Sequence, residues 1–158
     1  MKTRLKQAGV GLTVAGALAI GIVGAWEGMR TKAYRDIVGV PTLCFGETRG
    51  VKMGDTATPD ECRAMLGDAL VEFEQGMRKC LTRPDAIPDK SYVAFLSLTY
   101  NIGVGAFCKA SIPKKINAGD VRAACNTLPA FNRAGGRVVK GLVNRRAEER
   151  KICLQGVN

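Results

Sequence analysis

The chain has no histidine. That absence excludes Ser-His and Cys-His pairs and Cys/His zinc sites in their usual forms. Acid–base chemistry therefore falls to Asp, Glu, Lys, Tyr or Cys. Acids are scarce as well: 14 Asp and Glu face 24 Lys and Arg, a net charge of +10. Such a surface attracts an anionic partner, whether nucleic acid, lipid or a cell-wall polymer. There is no CxxC pair, no internal repeat and no low-complexity tail. Gly103 and Gly105 lack the Lys-Ser/Thr of a phosphate loop and read as shaping a helix end. The 158 residues, 46% hydrophobic, suffice for one domain, or for a small domain plus an anchor.

Six cysteines are present: Cys44, Cys62, Cys80, Cys108, Cys125 and Cys153. An even count behind an export-like N-terminus favours three disulfides formed in an oxidising compartment. Fifteen pairings are open. The expected set is Cys44–Cys62, Cys80–Cys108 and Cys125–Cys153. All six follow residue 43, so no bridge ties down the N-terminal segment.

That segment begins with Lys2, Arg4 and Lys6 and continues without charge from Ala8 to Trp26. As one helix it would span ~28 Å, about one hydrocarbon core. The basic flank predicts a cytoplasmic N-terminus with the rest exported. Yet the run is dominated by Gly and Ala, and its seven strongly apolar residues supply only roughly −3 kcal/mol of insertion energy. A cleaved signal peptide, a permanent anchor and a temporary anchor all fit. Glu27, directly after the run, favours the temporary anchor, since cleavage after Ala25 would leave it beside a free end.

Beyond Gly28, β-branched residues punctuated by glycines predict a small antiparallel lobe over about 33–57. Thr58, Pro59 and Glu61 then predict a capped helix with an apolar stripe at Cys62, Met65, Leu66, Ala69, Leu70, Phe73 and Met77. "KSYVAFLSLTYNIG" is apolar almost all round and predicts a central buried helix. Shorter helices start near Ser111 and after Asp120, "NRAGGRVVKG" reads as a loop, and "LVNRRAEERKICL" reads as a charged terminal helix. The fold class expected is α+β, mainly α: a small β lobe and a helical lobe (about 58–158) with a cleft between.

Glu27 sits at a helix end before Gly28, and Asp36 and Thr42 follow in the β lobe. The negative end of the helix and an apolar neighbour such as Trp26 both disfavour an ionised carboxylate, as a general acid requires. Asp36 and Thr42 could hold a water opposite it, the arrangement of an inverting glycosidase. Taken alone, the spacing equally fits a snorkelling glutamate and a turn-capping aspartate. Glu47 is a rival second carboxylate but reads as a surface turn residue. Arg137, Arg145, Arg146 and Arg150 read as a solvated face or carboxylate partners, one of them a candidate partner for Glu27.

The spacing Glu-x8-Asp-x5-Thr directly after an apolar segment resembles the signal-arrest-release endolysins of bacteriophages. These are phage-type lysozymes of glycoside hydrolase family 24. The resemblance runs through "EGMRTKAYRDIVGVPTLCFGET", "TYNIGVGAFC", "KKINAGD" and "AGGRVVKGLVNRRAEERKICL". It implies a lysozyme domain at 27–158 behind a releasable membrane segment at 1–26. It implies cleavage of the β-1,4 bond between N-acetylmuramic acid and N-acetylglucosamine, with Glu27 as proton donor and Asp36 and Thr42 holding water. Tyr34, Asn101 and Arg137 are the candidate substrate contacts. No metal or other cofactor is implied. The implied partners are peptidoglycan, the host inner membrane before release to the periplasm, and a holin or pinholin acting upstream. A monomer is expected, and nucleic acid is not an expected partner. Phe131 departs from the tryptophan of relatives. The rival function is a non-catalytic, disulfide-stapled cationic protein that binds walls or disrupts membranes.

Overall fold

The computed structural model describes residues 2–158. The N-terminal segment divides into a two-stranded hairpin, β1 (Lys6–Gln7) and β2 (Gly11–Leu12), and a helix, α1 (Val14–Glu27). The single nineteen-residue helix expected over 8–26 is therefore not what the folded chain holds. At 1.5 Å per residue α1 is ~21 Å long, short of the ~30 Å hydrocarbon core. Among the described residues no helix is long and apolar enough to cross a membrane.

Thr13 is the physical reason for the division. Its hydroxyl accepts from the Gly16 N–H (3.0 Å) as an N-cap and donates to the carbonyls of Arg4 and Leu5. Its own N–H donates to the Leu5 carbonyl at 2.9 Å. The chain before Thr13 thus folds back beside the helix start instead of extending it. A Cβ on Gly16 would stand 2.2 Å from the Leu5 carbonyl oxygen, so only glycine admits this approach. Ala15, Gly16, Ala19 and Val23 form the buried face of α1. The small residues that make a poor lipid anchor are those that let the helix pack closely against the domain.

The chain turns at Gly28, whose φ of +71 suits a glycine, into β3 (Arg30–Arg35) and β4 (Pro41–Cys44). These strands pair antiparallel with Tyr34 opposite Thr42 and Arg35 opposite Pro41. The lobe starts three residues earlier than expected, directly behind α1. Next, α2 (Pro59–Arg78) begins at the full capping box of Thr58 and Glu61. It buries Cys62, Leu66, Leu70 and Met77, and on the same stripe, unforeseen, Glu74. α3 (Asp89–Ile102) is buried from Ser91 to Thr99 and forms the centre of the core.

The helices α4 (Val104–Lys109), α5 (Ser111–Asn117) and α6 (Val121–Thr127) follow, the last capped by Asp120. The expected loop at "NRAGGRVVKG" is instead a short hairpin, β5 (Arg133–Ala134) and β6 (Arg137–Val138). α7 (Lys140–Gln155) closes the chain, and contrary to a solvated reading it buries Arg145, Arg146 and Glu149. Disulfides join Cys44–Cys62, Cys80–Cys108 and Cys125–Cys153.

Two outcomes follow from the packing of the first 27 residues. Gly16→Val should lower stability by about 1–3 kcal/mol in urea unfolding, because the added carbons meet backbone that cannot yield. Separately, Arg78 and then Lys2 hold the Asp85 carboxyl at about 2, below its ordinary 3.8. A depressed carboxyl stabilises fully above its ordinary value and loses that contribution as pH falls through its folded value. Hydrogen-exchange protection of the Arg4 and Thr13 amides should accordingly decline as pH falls from about 4 to about 2, and less so in Asp85→Asn.

Candidate active site

Glu27 is the last residue of α1, and its side chain is 26% exposed. Arg145, in the second turn of α7, donates to its Oε1 at 2.7 Å. This guanidinium is almost wholly buried, and its Nε also donates to Glu149 Oε1 at 3.2 Å. Glu149 accepts further from the Ser97 hydroxyl (2.6 Å) and from Arg146 (3.2 Å). Arg146 Nε lies 2.7 Å from Glu149 Oε2 as an ion pair without hydrogen-bond alignment.

The cluster thus sets two cations against two carboxylates, and it is neutral only when Glu27 is docked. Burial pushes the Glu149 carboxyl up, while Arg146, Ser97 and Arg145 pull it back. Burial likewise lowers Arg146, against the pull of Glu149. The contacting neighbour of Glu27 is therefore the Arg145 guanidinium rather than the apolar surface expected from Trp26.

Glu27 lines an open cavity of about 520 Å³ with Phe45, Glu47, Arg49, Glu72, Phe73 and Tyr100. Phe73 and Tyr100 stack at 4.8 Å between centroids, tilted by 53°. Burial, and then the charges of Glu27 and Glu47, raise the Tyr100 phenol. Arg49 bridges Glu47 and Glu72 across the opening, and its bond is the main reason the Glu47 carboxyl is lowered. Sequence reasoning set Glu47 aside as a turn residue, yet it shares a cavity with Glu27. Tyr100, Arg49 and Glu72 were not anticipated at all, because they come from three separated stretches.

Asp36 closes the β3–β4 turn. Its Oδ1 accepts from the Val38 (3.0 Å) and Val40 (2.8 Å) amides, and its own N–H donates to the Val40 carbonyl. Among the described residues no donor reaches its Oδ2. Thr42 is buried and donates to the Val40 carbonyl at 2.9 Å. The register that sets Tyr34 opposite Thr42 sets Asp36 opposite Val40, so Asp36 and Thr42 lie diagonally on one face of the hairpin. Neither lines the cavity that Glu27 lines.

The three candidate substrate contacts lie outside the Glu27 cavity. Tyr34 lies under the Arg30 guanidinium at 4.2 Å. Asn101 lines a second cavity of about 530 Å³ with Phe131 and Arg133. Arg137 is exposed on β6. The structure brings none of them to the Glu27 cavity. Phe131 packs against the core in part.

The sequence model of the phage lysozyme family matches residues 24–149. The chain belongs to the phage lysozyme family. A SAR-endolysin of Pseudomonas phage phiKMV is 43% identical over 150 residues, covering 92% of this chain and 90% of that protein. The crystal structure of the active form of P1 phage endolysin Lyz matches with a TM-score of 0.79 at 28% identity, over 92% of this chain and 86% of that one. The secreted inactive form of the same P1 endolysin matches at only 0.58 and 25% identity, over 92% of this chain and 97% of that one. This phage lysozyme therefore stands nearer in backbone to the active form.

Glu149→Gln should cost about 3–5 kcal/mol in urea unfolding, because it leaves two buried guanidinium groups with one carboxylate between them. Glu148→Gln, an exposed neighbour on α7, should leave stability within about 0.5 kcal/mol.

Proposed function

We propose that the protein is an endolysin that hydrolyses the β-1,4 bond between N-acetylmuramic acid and N-acetylglucosamine in bacterial peptidoglycan and so lyses the host. The observation that carries this reading is Glu27, held by Arg145 at the wall of a cavity in a phage lysozyme fold. Glu27 gives its proton to the leaving glycosidic oxygen. Arg145 orients that carboxyl, and its second bond to Glu149 keeps part of its charge from Glu27. Sugar filling the cavity displaces water from around Glu27.

Asp36 and Thr42 hold the attacking water. The Thr42 hydrogen is already given to the Val40 carbonyl, so toward any further partner Oγ1 acts as an acceptor. Asp36 Oδ2 is a second acceptor. A water donating to both turns a lone pair toward the anomeric carbon, and Asp36 takes its proton. An inverting outcome requires ~6.5–9.5 Å between the two carboxyl groups, room enough for that water.

Activity begins when the N-terminal segment leaves the membrane. In lipid no water satisfies the backbone, so residues 8–13 give up their hairpin and join the helix. Glu27 then sits at the membrane surface, away from Arg145. The segment starts with its N-terminus in the cytoplasm, so Lys2, Arg4 and Lys6 must cross on release to the periplasm. At about 2.3 kcal/mol per charge per 100 mV, the resting potential opposes that crossing by roughly 7 kcal/mol. A holin or pinholin that collapses the potential removes the barrier. The SAR-endolysin relatives, and the closer match to an active than to an inactive P1 endolysin, support this order of events.

Glu27→Gln should reduce clearing of purified peptidoglycan by about 10²–10⁴-fold while the protein stays folded. Mass spectrometry should find reducing muramic ends on the wild-type products; anhydro ends would replace hydrolysis with transglycosylation. Undiminished clearing by Glu27→Gln would overturn Glu27 as the proton donor, and absence of clearing by the wild type would favour the non-catalytic wall binder instead. Fusion to a strong, non-releasable anchor should abolish lysis in cells.

A further inference from the structure

The basic residues ahead of α1 are engaged in the folded protein, and their partners are acids of the helical lobe. Glu74, on the apolar stripe of α2, is 0% exposed. Its Oε2 accepts from the Thr3 hydroxyl. Its Oε1 accepts from the Arg4 N–H (2.8 Å) and the Tyr92 hydroxyl (2.7 Å). The Arg4 guanidinium donates to the carbonyls of Pro84 (3.0 Å) and Ile87 (2.7 Å), pairs with Asp89 and lies 4.2 Å from the centre of the Tyr92 ring. Lys2 pairs with Asp85 at 2.7 Å, and Lys6 pairs with Asp68. Gln75 Nε2 donates to the Lys2 carbonyl at 3.0 Å.

Core packing does not explain Glu74. An apolar residue would fill that place without the desolvation of a charge. The two bonds that distinguish it run to residues 3 and 4, some seventy positions away. Without them the buried carboxyl would keep Tyr92 alone. The order of charge along the segment, cations before α1 and a carboxylate at its end, is opposite to that which stabilises a helix by itself. These charges are therefore placed for their partners, not for the helix.

We infer that the acidic surface formed by Asp68, Glu74, Asp85 and Asp89 is a docking site with one occupant, the chain's own residues 2–6, and that it competes with anionic lipid for them. The inference rests on the reading of 8–26 as a segment that visits the membrane. The same cations serve anionic headgroups when the segment lies in lipid and this surface when it does not. They cannot serve both, because each docked side chain is already paired with protein. Docking at this end holds α1 on the domain, and the Glu27–Arg145 pair holds its other end.

The test uses the full chain with vesicles of phosphatidylglycerol and phosphatidylethanolamine, and with neutral phosphatidylcholine vesicles. The paired variant Asp68→Asn/Asp89→Asn removes exposed acids and spares the core. Asp60→Asn/Glu148→Gln is the control of equal net charge away from the site. The docking-site variant should co-sediment with the anionic vesicles about fivefold more per freed cation than the control, and equally with neutral ones. Glu74→Gln should change in the same direction, and if it fails to fold the paired variant decides alone. Equal sedimentation of docking-site and control variants, or a rise shared by neutral vesicles, would overturn the docking site. Wild-type inactivity on purified peptidoglycan would instead overturn the enzymatic reading and leave the vesicle result intact.

Discussion

Arg145 needs a carboxylate that its own helix does not fully provide. Its guanidinium is buried beside that of Arg146, and Glu149 can neutralise only one of the two. The missing charge comes from Glu27, more than a hundred residues earlier in the chain. An unpaired buried cation is among the costlier defects a domain can carry. Docking of α1 is thus an electrostatic requirement of the helical lobe as well as a packing event. The residue that satisfies the requirement is the same one proposed to give the proton.

The N-terminal segment packs closely on the domain because of its small residues. In water they let α1 approach Leu5, α2 and α3 closely, with Gly16 under the Leu5 carbonyl and Gly24 near the Phe45 ring. A leucine-rich segment would fit this groove poorly. The outer face of α1 and its hairpin stays apolar in the folded state, with Val10 and Val14 exposed.

Much of the fold was legible. The Thr58–Glu61 capping box, the buried α3 and the Asp120 cap are local signals, written in adjacent residues. The N-terminal helix was legible as apolar but not in extent. Its true start depends on Thr13 meeting Leu5, a contact that hydropathy does not register. Glu74 and Glu149 were hidden for a related reason. A charged residue on a helix reads as solvated unless its burial is known: a Glu74 partner lies 70 positions away, and although Arg145 and Arg146 stand four and three positions before Glu149 on its own helix, the Ser97 that meets it in the core lies 52 away. Tyr34, Asn101 and Arg137 were reasonable polar choices, but none of them lines the cavity that Glu27 lines.

By itself the sequence determined α2 and α3, the Thr58–Glu61 and Asp120 caps, a small antiparallel lobe after Gly28 and the presence of a carboxylate at the end of an apolar segment. These follow from short-range propensity, periodicity and turn chemistry, which act within a few residues. Only the tertiary structure decided which arginine meets Glu27, which acids receive Lys2, Arg4 and Lys6, and which residues line the cavity. Those outcomes depend on charge neutralisation between distant segments, and buried charge is settled by what the completed fold brings within reach.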